Sequence, residues 1–274
     1  MARNKPVYGV STNNIPDVKW GSGIKRMIIF AGGPGNSLPT GTGFRIMTKS
    51  FDNFIDEYTL YFVTRKMGQP AGYTTRDMAG DYAQMISIDL GGYAEAVVGM
   101  SFGGMIAQHF AADYPELYGH LVIAMAAHRM SEKGKLIDYE FAELLHQGKI
   151  RKAAAAVIGS ITDNRFTGAL IRTLSWIAGG AFMKGSHEAF KSDVLIEAEA
   201  ELSHQAVESL GLINKPVLLI CGTADIYFPQ AYIEETAALI PRSVLKLYEG
   251  KGHMNTMTDK RFYKDVKEFL SKVS

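Results

Sequence analysis

Six short apolar runs recur along the chain: Met27 to Phe30, Leu60 to Val63, Ala96 to Met100, Leu121 to Met125, Val217 to Cys221 and Val244 to Tyr248. None alternates apolar with polar residues, so each reads as a strand buried on both faces. Lys246 interrupts the last run and makes it the weakest. Longer patterns at helical spacing lie between several of them. Thr75 to Leu90 carries Met78, Tyr82, Met85 and Ile86 near one face. Ser101 to Tyr114 carries Met105, Ile106, His109 and Phe110 and stops before Pro115. Pro229 to Ile240 opens on a proline, which suits the first turn of a helix. Arg261 to Val273 places Phe262, Val266, Phe269 and Leu270 on one stripe. Alternating strand and helix predicts an α/β protein with a mostly parallel central sheet flanked by helices.

Residues 129–205 break this rhythm. Helical patterns run through Ile137, Phe141, Leu144 and Leu145, then Ala153 to Ile158, and no strand pattern occurs. The expected division is a core of 1–128 and 206–274 with a helical lid insertion at 129–205. Phe141, Trp176, Phe182 and Phe190 in that insertion read either as its packing or as the wall of an apolar cavity.

Composition narrows the classes. The chain has 274 residues, 47% hydrophobic and 21% charged, enough for one elaborated α/β domain. Twenty-nine basic residues face 28 acidic ones, so no basic excess points to nucleic acid. The single cysteine, Cys221, builds neither an internal disulfide nor a cysteine-rich zinc site. No signal-peptide pattern and no apolar run of about 18 residues is present, so the expectation is a cytoplasmic protein without a membrane span.

The sharpest chemical signal is Gly99-Met100-Ser101-Phe102-Gly103, between a predicted strand and a predicted helix. A serine on such a turn is held in a strained conformation with its hydroxyl above the sheet edge. The chain passes close on both sides, which requires small residues two before and two after it. The competing reading is an ordinary N-capping serine. A serine nucleophile also needs a base, because its hydroxyl is weakly reactive at neutral pH.

With that motif the chain resembles the α/β-hydrolase superfamily. The resemblance covers roughly residues 20–128 and 206–274. It implies the order nucleophile, acid, histidine, with the acid after a late strand and the histidine after the last. Pro216 through Gly222 and on to Asp225 is similar to the acid strand and loop, and Glu249 to His253 is similar to the histidine loop. The resemblance therefore implies Ser101 as nucleophile, Asp225 as acid and His253 as base. Ala31-Gly32-Gly33-Pro34-Gly35 resembles the oxyanion loop of the family, with Ala31 where histidine is frequent. Pro34 has no N–H, so Gly33 and the residue after the nucleophile, Phe102, are the implied oxyanion donors. Leu38, Met100, His128, Tyr227 and Met254 flank these motifs and are expected substrate contacts.

The activity so implied is acyl transfer to water: a serine esterase acting on a small or medium, fairly apolar carboxylic ester, with no metal and no organic cofactor. A proline iminopeptidase-like aminopeptidase would need lid carboxylates, for which Asp138, Glu140, Glu143 and Glu199 are candidates. A carbon–carbon bond hydrolase and a slow-turnover ligand receptor on the same scaffold are further alternatives.

Overall fold

The computed structural model describes residues 5–33, 35–161 and 187–272. Eight strands form one sheet: β1 Val7–Val10, β2 Pro16–Trp20, β3 Lys25–Phe30, β4 Tyr58–Val63, β5 Ala94–Met100, β6 Tyr118–Ala124, β7 Val217–Gly222 and β8 Ser243–Tyr248. Their order is β1-β2-β4-β3-β5-β6-β7-β8. β1 and β2 pair antiparallel with each other, as do β2 and β4, and the remaining pairs are parallel. The helices are α1 Gly41–Thr48, α2 Thr75–Asp89, α3 Phe102–Asp113, α4 Glu132–His146, α5 Ile150–Ile161, α6 Phe190–Ser203, α7 Val207–Leu210, α8 Gln230–Leu239, α9 His253–Met257 and α10 Lys260–Lys272.

Five of the six apolar runs fall inside β3, β4, β5, β7 and β8, and Leu121 to Met125 overruns β6 by one residue. Their continuity has a simple cause. Along β5, Ala94 and Val97 pack into a cluster with α2, α3 and α8, while Ala96, Val98 and Met100 pack into a second cluster with α1 and α10. β7 divides the same way, Val217, Leu219 and Cys221 against Leu218 and Ile220. Both faces are covered, so no position alternates to water. β8 has one neighbour in the sheet, and five of its six residues keep some exposure, which is why Lys246 is tolerated there.

The sequence pattern did not announce β1 and β2. β1 is exposed along its whole length, and β2 opens on Pro16, so neither carries the apolar signature of a central strand. Element boundaries also moved by about one residue. Pro229 is the N-cap of α8 instead of its first residue, and Met125 leaves β6 with φ 55°.

Among the described residues between β6 and β7, the regular elements are α4 to α7 and include no strand. α4, α5 and α6 share an apolar cluster of their own, with Phe141, Ala142, Leu145, Ala153, Phe190, Val194 and Ala198 at its centre. Phe141 and Phe190 are thus packing residues of this layer. Trp176 and Phe182 lie outside the described residues.

Candidate active site

Ser101 sits between β5 and α3 with φ 50° and ψ -119°. A non-glycine residue with positive φ is strained, and here the surroundings impose it. A Cβ on Gly99 would lie 2.7 Å from the Gly103 carbonyl oxygen, and one on Gly103 would lie 2.2 Å from the Phe30 carbonyl oxygen. Both motif glycines are therefore steric requirements of the turn. Although Ser101 occupies the N-cap position of α3, its side chain makes no cap hydrogen bond. The hydroxyl is instead 2.9 Å from His253 Nε2. That geometry displaces the N-cap reading.

His253 opens α9, beyond β8, and its Nδ1 is 2.7 Å from Asp225 Oδ2. A carboxylate only accepts, so Nδ1 carries the proton and Nε2 is left to accept from the serine hydroxyl. Asp225 is buried in the loop after β7, and its other oxygen accepts the amides of Tyr227 and Phe228 at 2.9 and 3.2 Å. These bonds fix the carboxylate before the histidine is considered. The two loops meet because Gly222 allows it: a Cβ there would lie 2.0 Å from the Lys251 carbonyl oxygen. Ala224 N–H donates to that same oxygen at 3.0 Å. The imidazole is flanked by Tyr227 and Phe228, with ring centroids 5.0 and 5.9 Å away. Asp259, the other carboxylate near His253 in sequence, is held by Arg261 and Lys251, which keep its carboxyl well below the ordinary range.

β3 pairs with β5 so that Phe30 lies opposite Gly99. The loop after β3 therefore leaves the sheet beside the Ser101 turn. A Cβ on Gly32 would lie 2.9 Å from the Ser101 Cβ, which measures how closely the two segments run. Gly33 has φ 73° with open space where a Cβ would stand. Phe102 is the first residue of α3, where helical geometry leaves the amide without an intrahelical acceptor. Pro34 lies outside the described residues.

The flanking residues differ in character. Met100 is buried in the sheet core, and Leu38 packs half-buried against the same cluster. Tyr227 touches the His253 ring, whereas Met254 is 47% exposed. His128 is buried, with Nδ1 3.0 Å from Thr236 Oγ1 and Nε2 3.4 Å from Glu235. Both of its ring nitrogens thus have partners on α8, and neither meets Ser101, His253 or Asp225.

Above the loops lies a layer of buried acids that the sequence reading missed in part. Asp193, Glu197 and Glu201 recur every fourth residue on α6, so one face of that helix carries all three, and all are buried. Asp193 accepts from Asn36 Nδ2 at 2.7 Å and from the Gly68 and Gln69 amides at 2.9 and 2.8 Å. Glu197 pairs with Arg65 at 2.9 Å, both side chains fully buried. Glu201 faces Asp138 of α4 closely enough for their charges to interact, and its Oε2 is buried without a hydrogen-bond partner. Burial raises the Asp138 carboxyl to about 7, while the charge of nearby His253 pulls it back down. Burial and then the Asp138 charge push Glu201 up as well. Of the acids considered from sequence, Asp138 is in this layer, and Glu140, Glu143 and Glu199 are exposed.

No group of three or more metal-ligating side chains able to hold an ion occurs among the described residues. No helix among them is long and apolar enough to cross a membrane.

Residues 32–260 match the family model described as alpha/beta hydrolase fold. The chain belongs to that family. Solved structures with this fold include the enol-lactonase from Burkholderia xenovorans, at 18% identity and TM-score 0.74 over 97% of this chain and 100% of that one. The meta-cleavage product hydrolase from Pseudomonas fluorescens aligns at 18% identity and TM-score 0.70 over 97% and 99%. A putative non-heme bromoperoxidase from Mycobacterium tuberculosis aligns at 20% identity and TM-score 0.71 over 95% and 97%. Among curated proteins, the polyketide synthase ThaQ of Burkholderia thailandensis is 28% identical over 176 residues, which is 60% of this chain and 8% of that protein. The chain thus spans a small fraction of that relative. Members of this family that share a fold differ in reaction, so function has to be argued from the site.

Proposed function

We propose that the protein is a serine hydrolase that cleaves a carboxylic ester through an acyl-enzyme. The observation that carries this reading is the continuous chain Ser101 Oγ, His253, Asp225, with spacings of 2.9 and 2.7 Å, on a turn strained to φ 50°. In this scheme His253 Nε2 takes the hydroxyl proton as Ser101 attacks the carbonyl carbon, and Asp225 stabilises the imidazolium that forms. The amides of Gly33 and Phe102 receive the developing oxyanion. The imidazolium returns the proton to the leaving alcohol, and a water activated by the same base releases the acid. Residues 129–205 serve as a lid over the site, and no cofactor is required.

One observation favours a second reading. A buried acid pair, Asp138 with Glu201, lies within electrostatic reach of His253. A wholly apolar substrate gains nothing from it, whereas a protonated amine on the substrate would satisfy the free Glu201 Oε2. That favours an aminopeptidase-like or aminoacyl-ester substrate over a plain apolar ester.

The test is a panel of neutral acyl esters and aminoacyl esters and arylamides, run on the parent, Ser101→Ala and Asp138→Asn. Ser101→Ala is expected to lose turnover by several orders of magnitude on every substrate while keeping its fold. Turnover of Ser101→Ala near the parental rate would overturn the nucleophile assignment. Under the second reading Asp138→Asn raises KM for the amine-bearing substrates alone. An equal effect on neutral esters would exclude amine recognition.

A further inference from the structure

A glycine-rich loop has little backbone preference of its own, and its peptide planes turn at low cost. An oxyanion loop of this kind is a liability, because a carbonyl rotated toward the oxyanion would repel the charge its amide should attract. Something must hold the carbonyls away, and among the described residues a buried side chain bonds several of them.

Arg65 follows β4, and its side chain is fully buried. Its Nη1 donates to the Ala31 carbonyl at 2.9 Å, and its Nη2 donates to the Gly33 carbonyl at 2.7 Å and also to the Gly35 carbonyl. The guanidinium carbon lies 5.2 Å from the centroid of the Phe102 ring. One cation therefore touches both halves of the proposed oxyanion hole, the loop after β3 and the first residue of α3. Glu197 of α6 closes the arrangement. Its Oε2 accepts from Arg65 Nη2 at 2.9 Å and from the Gly35 amide at 2.6 Å, and its Oε1 accepts from Gln69 Nε2 at 2.9 Å.

We propose that Arg65 and Glu197 are positioning residues for the oxyanion hole, and that through Glu197 the seating of α6 sets whether the hole is competent. The inference rests on the serine hydrolase reading, since it needs Gly33 and Phe102 as donors. Arg65 is too deeply buried to meet substrate, so its effect passes through the loop. Withdrawal of α6 would strip Arg65 of its counter-ion and the Gly35 amide of its acceptor, and the loop carbonyls would be free to turn.

Removing one member of a buried pair leaves an uncompensated charge and threatens folding, whereas replacing both with apolar residues is often tolerated. The decisive protein is therefore the double variant Arg65→Met, Glu197→Leu, accompanied by Glu197→Gln, which preserves shape. Circular dichroism and thermal melts report the fold. Kinetics report kcat and KM on whichever ester the parent hydrolyses. A trifluoromethyl ketone analogue and the corresponding methyl ketone report binding with and without oxyanion formation.

The expected result is a fall in kcat of about 10²-fold in the double variant and a smaller fall in Glu197→Gln. KM stays within about twofold. The trifluoromethyl ketone is expected to lose affinity in parallel with kcat, and the methyl ketone to be unaffected. A merely structural role would weaken both ketones alike, and that result overturns the proposal. So does a folded double variant with parental kcat. The serine hydrolase reading fails by a different sign, parental turnover that survives Ser101→Ala, and that outcome removes both.

Discussion

At the scale of the residue, the site is a set of steric permissions and one strained backbone. Ser101 at φ 50° and ψ -119° occupies a region that costs a side-chain-bearing residue about 1–3 kcal/mol. Ser101→Gly is therefore expected to abolish turnover and to stabilise the fold, by about 1 kcal/mol and a Tm gain of about 2–4 °C. A calorimetric Tm lower than the parent's would mean that the turn is not strained. The acid assignment predicts a contrast. Asp225→Asn is expected to lower kcat by about 10⁴-fold, because it removes the charge that stabilises the imidazolium and favours the wrong tautomer. Asp259→Asn should leave kcat within about threefold, because its carboxylate is engaged by Arg261 and Lys251. An inactive Asp259→Asn beside an active Asp225→Asn would reverse the assignment. Ser101 and Asp225 were legible in the sequence because each follows a recognisable buried strand, His253 because it follows the last, weaker run, and the glycines that let the chain pass, Gly99, Gly103 and Gly222, stand at fixed offsets from these loops. Arg65 was not legible. A lone arginine after a strand reads as surface, and only its three-dimensional enclosure reveals which carbonyls it bonds.

At the scale of the element, the central strands were readable because burial on both faces leaves a continuous apolar run. β1 and β2 were not: β1 is an exposed edge strand, and β2, though paired on both sides, alternates buried with more exposed positions and opens on Pro16. The acidic face of α6 was missed for a related reason. Acids every fourth residue on a helix ordinarily mark its solvated side, yet here Ala198 and Val194 lie among them on a buried surface. The spacing itself was visible, and the neighbouring apolar positions were the available signal that the acids point inward. Asp138 on α4 and Glu201 on α6 bring two buried acids together between these helices. The sign of their pH effect follows from their raised values. In the unfolded chain both ionise near about 4, whereas Asp138 in the fold holds its proton to about 7. Between those limits the folded state binds more protons, so the pair's contribution to stability falls as pH rises through the window. Glu201→Gln removes one titrating partner and lets an amide donate to Asp138. Its stability relative to the parent is expected to improve from pH 5 to pH 8, as read by Tm at each pH. A Tm difference independent of pH would show that burial does not hold a proton on these acids.

At the scale of the whole molecule, three histidines oppose that trend. His109, His128 and His204 are buried around α3, α8 and the end of α6, and burial depresses all three, His204 well below its ordinary value. His204 Nδ1 is 2.8 Å from Thr75 Oγ1 of α2, its Nε2 is buried without a partner, and its ring meets that of His109 at 5.2 Å. A proton on His204 would be desolvated and would face a second imidazole. In the unfolded chain these rings titrate near about 6.5. Below that pH the unfolded state binds more protons, so the stability the neutral rings supply is present above about 6.5 and is lost as pH falls toward their folded values. The acid pair weakens the fold on going up from about 4 to 7, and the histidines weaken it on going down from about 6.5. His204 is the useful probe because it joins the α6 layer to α2 and α3 of the core, far along the chain from Ser101. His204→Gln keeps an amide to meet Thr75 and cannot take up a proton. Its cost at pH 7.5 should be modest, and the gap to the parent should close or invert by pH 5, where the parent's ring is driven to ionise. Guanidinium unfolding at the two pH values measures this directly. If the variant loses as much stability between pH 7.5 and pH 5 as the parent does, His204 is not an acid-sensitive joint between the layers, and the loss belongs to His109 and His128.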